Sequence, residues 1–68
     1  MRYSELVKKL RRLGCQFHRQ GKGSHEYWYN PATDLYTSVP HHRNREIPNG
    51  TLHKILKELG LSLKDLQK

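Results

Sequence analysis

Sixty-eight residues suffice for one compact domain, expected to span residues 1–68, because a chain this short buries only about 60% of the surface its unfolded form exposes. Thirteen Lys and Arg against six Asp and Glu leave a formal charge of +7, which points to a polyanionic partner, nucleic acid foremost, or to a positive surface that merely keeps a small protein in solution. The lone Cys15 excludes an internal disulfide and a multi-cysteine zinc site and fits a reducing cytoplasm, while the charged residues 1–12 leave no apolar run for a signal peptide or membrane span, so the chain is expected to start with its fold.

Ser4 is placed to cap a first helix in which Tyr3, Leu6, Val7, Leu10 and Leu13 recur at three- and four-residue spacing, and Gly14 is placed to end it. Lys8, Lys9, Arg11 and Arg12 fall on the opposite side, as a solvated face or as a rail for phosphates. Residues 15–20 switch to period two, with Cys15 and Phe17 apolar, and the turn Gly21-Lys22-Gly23-Ser24 breaks the run. Residues 25–29 are aromatic-rich, Asn30-Pro31-Ala32-Thr33-Asp34 has turn chemistry, and residues 35–39 alternate again before Pro40. Three short strands with hairpin-length connections predict an antiparallel sheet.

Residues 41–49 read as a polar, basic loop containing His41, His42, Arg43, Asn44, Arg45 and Pro48. A second helix is expected to start at Asn49 or Thr51, to bury Leu52, Ile55, Leu56 and Leu59, and to stop at Gly60. Ser62 and Asp65 have capping-box spacing, which predicts a last helical turn reaching Leu66. Two amphipathic helices each need to hide one face, and a three-stranded sheet offers them one, so an α+β two-layer fold is expected, with both helices on the same face of the sheet.

Strand parity puts His25, Tyr27 and Tyr29 on one side of the second strand and Glu26 and Trp28 on the other. Trp28 is the largest apolar group in the chain, so its side should face the helices and His25 should face out. There, Lys22 offers an ammonium, Gly23 backbone N–H groups and Ser24 a hydroxyl to an incoming phosphate, beside an imidazole able to move protons near neutral pH. The plainer alternative is a surface histidine after ordinary hairpin punctuation. His41 and His42 close the third strand, where antiparallel pairing brings a second imidazole toward the start of the second. Three histidines without cysteine or acidic ligands at familiar spacing make a poor metal site, and no metal or other cofactor is expected. There is no Gly-x-Ser-x-Gly elbow, Walker loop or carboxylate cluster for magnesium, and Cys15 reads as a small buried hydrophobe.

Three segments now coincide in order: Gly23-Ser24-His25 opening the second strand, Val39-Pro40-His41-His42 closing the third, and Gly50-Thr51-Leu52-His53-Lys54-Ile55-Leu56-Lys57-Glu58-Leu59-Gly60-Leu61 in the final helix. Together with Ser4-Glu5-Leu6-Val7 and Gly14 they resemble the HicA toxin family, from Ser4 to about Leu61. That resemblance implies a double-stranded-RNA-binding-domain-like α-β-β-β-α fold, cleavage of mRNA without a metal cofactor, and neutralisation by a HicB-type antitoxin. The family's catalytic histidine falls on His25, with RNA contacts expected at Lys22, Gly23, Ser24, His42 and Arg43. Two departures stand out: Cys15 replaces a bulky apolar residue frequent there, and the histidine after Pro40 is doubled, which leaves open whether His41 or His42 matches the family's. The mechanism so implied has His25 deprotonate a ribose 2′-hydroxyl that attacks the adjacent phosphate. A non-catalytic double-stranded-RNA-binding module and a protein-interaction domain with an acidic partner are the alternative readings.

Overall fold

A computed structural model describes residues 1–41 and 45–67. Its elements are α1 (Tyr3–Arg12), β1 (Gln16–Gln20), β2 (His25–Asn30), β3 (Leu35–Pro40), α2 (Asn49–Glu58) and α3 (Leu63–Leu66). The strands form one antiparallel sheet in the order β1-β2-β3. This is the α+β, double-stranded-RNA-binding-domain-like arrangement that the sequence led us to expect, with the predicted last turn present as α3. No helix among the described residues is long and apolar enough to cross a membrane.

Both long helices end by the same device. After α1 and α2 the chain enters the left-handed region at Gly14 (φ +94°) and Gly60 (φ +73°). Paired backbone bonds then satisfy the last carbonyls: Gly14 N–H to Arg11 and Cys15 N–H to Leu10, Gly60 N–H to Lys57 and Leu61 N–H to Leu56. At Gly60 the requirement is also steric, since a Cβ there would lie 2.9 Å from the Thr33 methyl. The start of α1 differs from expectation. Ser4 lies inside the helix, and Arg2 occupies the cap position in extended conformation, its N–H donating to Glu5 Oε1 at 3.4 Å. The cause is tertiary: Arg2 bridges antiparallel to Glu46, and Ile47 N–H donates to the Met1 carbonyl at 2.8 Å, so the residues before the helix are held as a strand. The segment expected to be plain loop thus supplies this pairing and buries Ile47 in the core.

The helices cover one face of the sheet, and the core lies between them: Leu6 and Leu10 from α1, Trp28 and Val39 from the sheet, Leu52, Ile55, Leu56 and Leu59 from α2 and its cap, with Cys15, Ile47 and Leu66 at the margins. Burial pushes the Cys15 thiol above its ordinary range, in keeping with a packing role. The pairing of β2 with β3 is regular from His25↔Pro40 to Asn30↔Leu35. By contrast, β1 starts at Gln16 rather than Cys15, and its register with β2 shifts between Phe17 and Arg19. Phe17 opposes Trp28 and makes edge contact with its ring, yet stays 47% exposed on this outer strand. Asn30 is buried and joins the far end of the sheet to α2: its Nδ2 donates to the Leu59 carbonyl at 2.8 Å, beside the Thr33 hydroxyl at 2.9 Å.

Trp28 is 1% exposed and bridges sheet and helices, so Trp28→Ala should cost about 3–5 kcal/mol. Domains of this size have total stabilities of the order of 3–10 kcal/mol, so urea denaturation followed by circular dichroism should find the variant largely or wholly unfolded without denaturant. Leu35→Ala, at a half-exposed position, should shift the midpoint far less.

Candidate functional site

The turn between β1 and β2 is held by its own neighbours. Gly21 N–H donates to the His25 carbonyl at 2.9 Å, and His25 N–H to the Lys22 carbonyl at 3.1 Å. The Gln20 amide straps it further, donating to the carbonyls of Gly23 (3.1 Å) and His25 (3.0 Å). Both glycines suit their places. Gly23 has φ +59°, and a Cβ on Gly21 would stand 2.8 Å from the Tyr27 ring. Among the described residues, the N–H groups of Lys22, Gly23 and Ser24 have no hydrogen-bond partner, and Lys22 and Gly23 are exposed. A fixed, cationic turn with open amides is suited to an anion.

His25 follows immediately, exposed on the uncovered face of the sheet as its strand parity requires. Its Nδ1 lies 3.2 Å from Ser38 Oγ. In the tautomer protonated at Nδ1, the ring donates to that oxygen and keeps the Nε2 lone pair for a proton from outside. Ser38 was not singled out from the sequence. The signal lay in the period of β3, which puts Ser38 opposite Tyr27 and diagonally across from His25.

The rest of this face is aromatic and basic. The Arg19 guanidinium sits 4.5 Å above the Tyr27 ring, whose other neighbour is Gly21. Tyr29 and Tyr36 are cross-strand partners with ring centroids 4.6 Å apart, and His18, brought over by the irregularity in β1, meets Tyr36 at 5.0 Å. The Tyr29 hydroxyl donates to Asp34 at 2.7 Å, a bond that raises its pKa and fixes the ring.

On the other side of the same strand ends lies a polar cluster under the sheet. Buried Glu26 accepts from the Tyr3 hydroxyl and from Trp28 Nε1–H at 3.3 Å, and its second oxygen lies 3.2 Å from His41 Nδ1. The His41 ring stacks on Tyr3 with centroids 4.1 Å apart. Burial, followed by the hydrogen bond to Glu26, holds the Tyr3 phenol far above its usual range. Pro40 pairs with His25, as expected of the strand end, but the next residue faces the opposite way, so the imidazole of His41 is engaged on the helix side and not beside His25. His42 and Arg43 lie outside the described residues. Among the described residues, no three His, Cys, Asp or Glu side chains converge as a metal ion would need.

The basic side of α1 is only partly a free rail. Lys9 Nζ donates to the Leu66 carbonyl at 3.4 Å, tying α3 to α1, and the Arg11 guanidinium lies 5.4 Å from the Trp28 ring centroid. Lys8 and Arg12 are exposed.

Comparison with known proteins adds one match. The family model described as HicA toxin of bacterial toxin-antitoxin fits residues 3–61, a stretch that takes in α1, the whole sheet and α2. No curated protein and no solved structure matches the chain.

Glu26 holds three groups from separate elements, so its removal should be felt well beyond its size. Glu26→Ala strands the buried indole N–H, worth about 1–3 kcal/mol by itself, and should lower the melting temperature by several degrees or more in a calorimetric scan. Glu26→Gln keeps an acceptor and should recover part of that loss; equal melting of Glu26→Ala and the parent protein would show the cluster to be idle.

Proposed function

The chain belongs to the HicA toxin family, and from that premise we propose that it is a metal-independent endoribonuclease that cleaves mRNA with His25 as the catalytic base and is silenced by a HicB-type antitoxin. The observation that carries this reading is the exposed imidazole, oriented by Ser38 through Nδ1 and seated directly after a cationic turn whose amides are open.

The proposed reaction needs few parts. Nε2 of His25 takes the proton from a ribose 2′-hydroxyl as that oxygen bonds to the adjacent phosphorus. The bond from phosphorus to the 5′-oxygen breaks, the leaving oxygen takes up a proton from solvent, and a 2′,3′-cyclic phosphate and a 5′-hydroxyl remain. Charge building on the phosphorane is met by the Lys22 ammonium and the N–H groups of Gly23 and Ser24. Ser38 acts as a positioning residue that selects the tautomer. His42 and Arg43, expected to add RNA contacts, lie outside the described residues. An antitoxin that covers the open face would block both the imidazole and the turn.

His25→Ala should lower cleavage of a single-stranded transcript by about 10²–10⁴-fold while circular dichroism and melting stay close to the parent protein, since the residue is exposed and its ring bonds only the Ser38 hydroxyl among the described residues. The parent protein should cut equally well in excess chelator, leave cyclic phosphate ends and spare the DNA analogue, which lacks the nucleophile. Undiminished activity in His25→Ala, or RNA bound but left whole by the parent, would overturn the assignment.

A further inference from the structure

A shallow, open cleft of about 370 Å³ is lined by Tyr27, Tyr36 and Ser38 from the open face and by Thr37 and Glu58 from the helix side. Its walls are unlike the turn before His25. Tyr36 stays half exposed although its ring already meets Tyr29 and His18, so part of its aromatic surface remains open to a ligand. Glu58 is exposed at the end of α2, where its Oε1 accepts the Thr37 hydroxyl at 2.7 Å. That bond pins the carboxylate against the strand and leaves Oε2 without a partner among the described residues. The cleft also adjoins the catalytic candidate, because Ser38 lines it and is the residue bonded to His25 Nδ1.

The chemistry of these walls restricts what can enter. A carboxylate only accepts hydrogen bonds and repels phosphate, so the part of a ligand that meets Glu58 must bring N–H donors. Tyrosine rings favour a flat π-system, and base stacking on aromatic side chains is worth about 1–3 kcal/mol per base. A nucleobase supplies both features at once. Its hydrogen-bonding edge is free only when the base is unpaired, which excludes an intact duplex. With this neighbour, the ribose and phosphate of the same nucleotide come within one side chain of the imidazole.

Resting on the ribonuclease reading above, we propose that this cleft is a base subsite: it seats an unpaired nucleobase of the RNA beside the scissile phosphate, stacked on Tyr36, with the Glu58 carboxylate accepting from the base edge. Guanine fits best, because it alone among the four bases places two adjacent donors, N1–H and N2–H, on one edge, for Oε2 and for the lone pair that Thr37 leaves on Oε1. The protein then selects single strands by base chemistry, not duplexes by shape.

Binding can be measured apart from cleavage. In the His25→Ala protein, single-stranded tetranucleotides identical except for one base should bind with guanine favoured about tenfold over adenine, cytosine and uracil, as read by fluorescence anisotropy. Adding Glu58→Gln should erase that preference, and adding Tyr36→Ala should weaken all four ligands; Glu58→Gln keeps an acceptor for Thr37, so the fold is maintained. In the parent protein, mapped cuts should show guanine enriched at one fixed position. Equal binding of the four bases, or a guanine preference that survives Glu58→Gln, would overturn the subsite. A parent protein that leaves RNA whole while the guanine preference persists would overturn the nuclease reading and support the cleft.

Discussion

Burial of one indole ring decides which way the sheet faces. Trp28 sits at the centre of the middle strand, and the pleat allows its neighbours no choice: once it is turned toward Leu6, Leu10 and the α2 stripe, Glu26 and Asn30 must go in and His25, Tyr27 and Tyr29 must go out. A slip of one residue would reverse all six positions of β2, burying an imidazole and two phenols and exposing the largest apolar side chain. The apolar area of Trp28 thus holds a polar histidine in solvent, and the chemistry proposed for the open face depends on that sidedness.

The same parity divides the chemistry of the strand ends between two faces. Above the sheet, His25 is steadied by one hydroxyl and otherwise left to solvent; below it, Glu26 gathers a phenol, an indole and the imidazole of His41 into a compact cluster. Two histidines that are near in the pairing diagram therefore have different environments. The lower cluster joins α1, β2 and the end of β3, next to the point where residues 45–47 return to pair with the start of the chain. It is a buried polar group of the kind that persists when each donor has an acceptor, and that becomes costly when one partner is taken away.

Membership of the HicA toxin family and an open sheet face are consistent with each other in physical terms. The face left bare by the helices is where rings, guanidinium and imidazole are displayed together, on a chain with a formal charge of +7. Under the proposed function, one surface has to admit a polyanion and also be closed by a partner protein. The two demands are compatible, because the features that suit RNA, flat aromatic rings with positive charge beside them, also suit a complementary acidic protein surface.

Much of this was legible in the residues alone, wherever the signal is local and periodic. The apolar stripes of α1 and α2, the glycines that end them, the capping-box spacing of Ser62 and Asp65, and the in-and-out alternation of β2 all follow from contacts within a few residues, so their pattern is written along the chain. The outward position of His25 belongs to this class. Other features required the third dimension. The cap of α1 moved to Arg2 because a distant segment pairs with it; the irregularity at His18 reflects how β1 meets its neighbour; Ser38 reaches His25 only through cross-strand register; and Glu26, Tyr3 and His41 meet although 23 positions separate the first two. Periodicity tells a side chain which face to take, but a polar group's partner is settled by which strand lies opposite and how far it has slid, and that is a property of the assembled sheet.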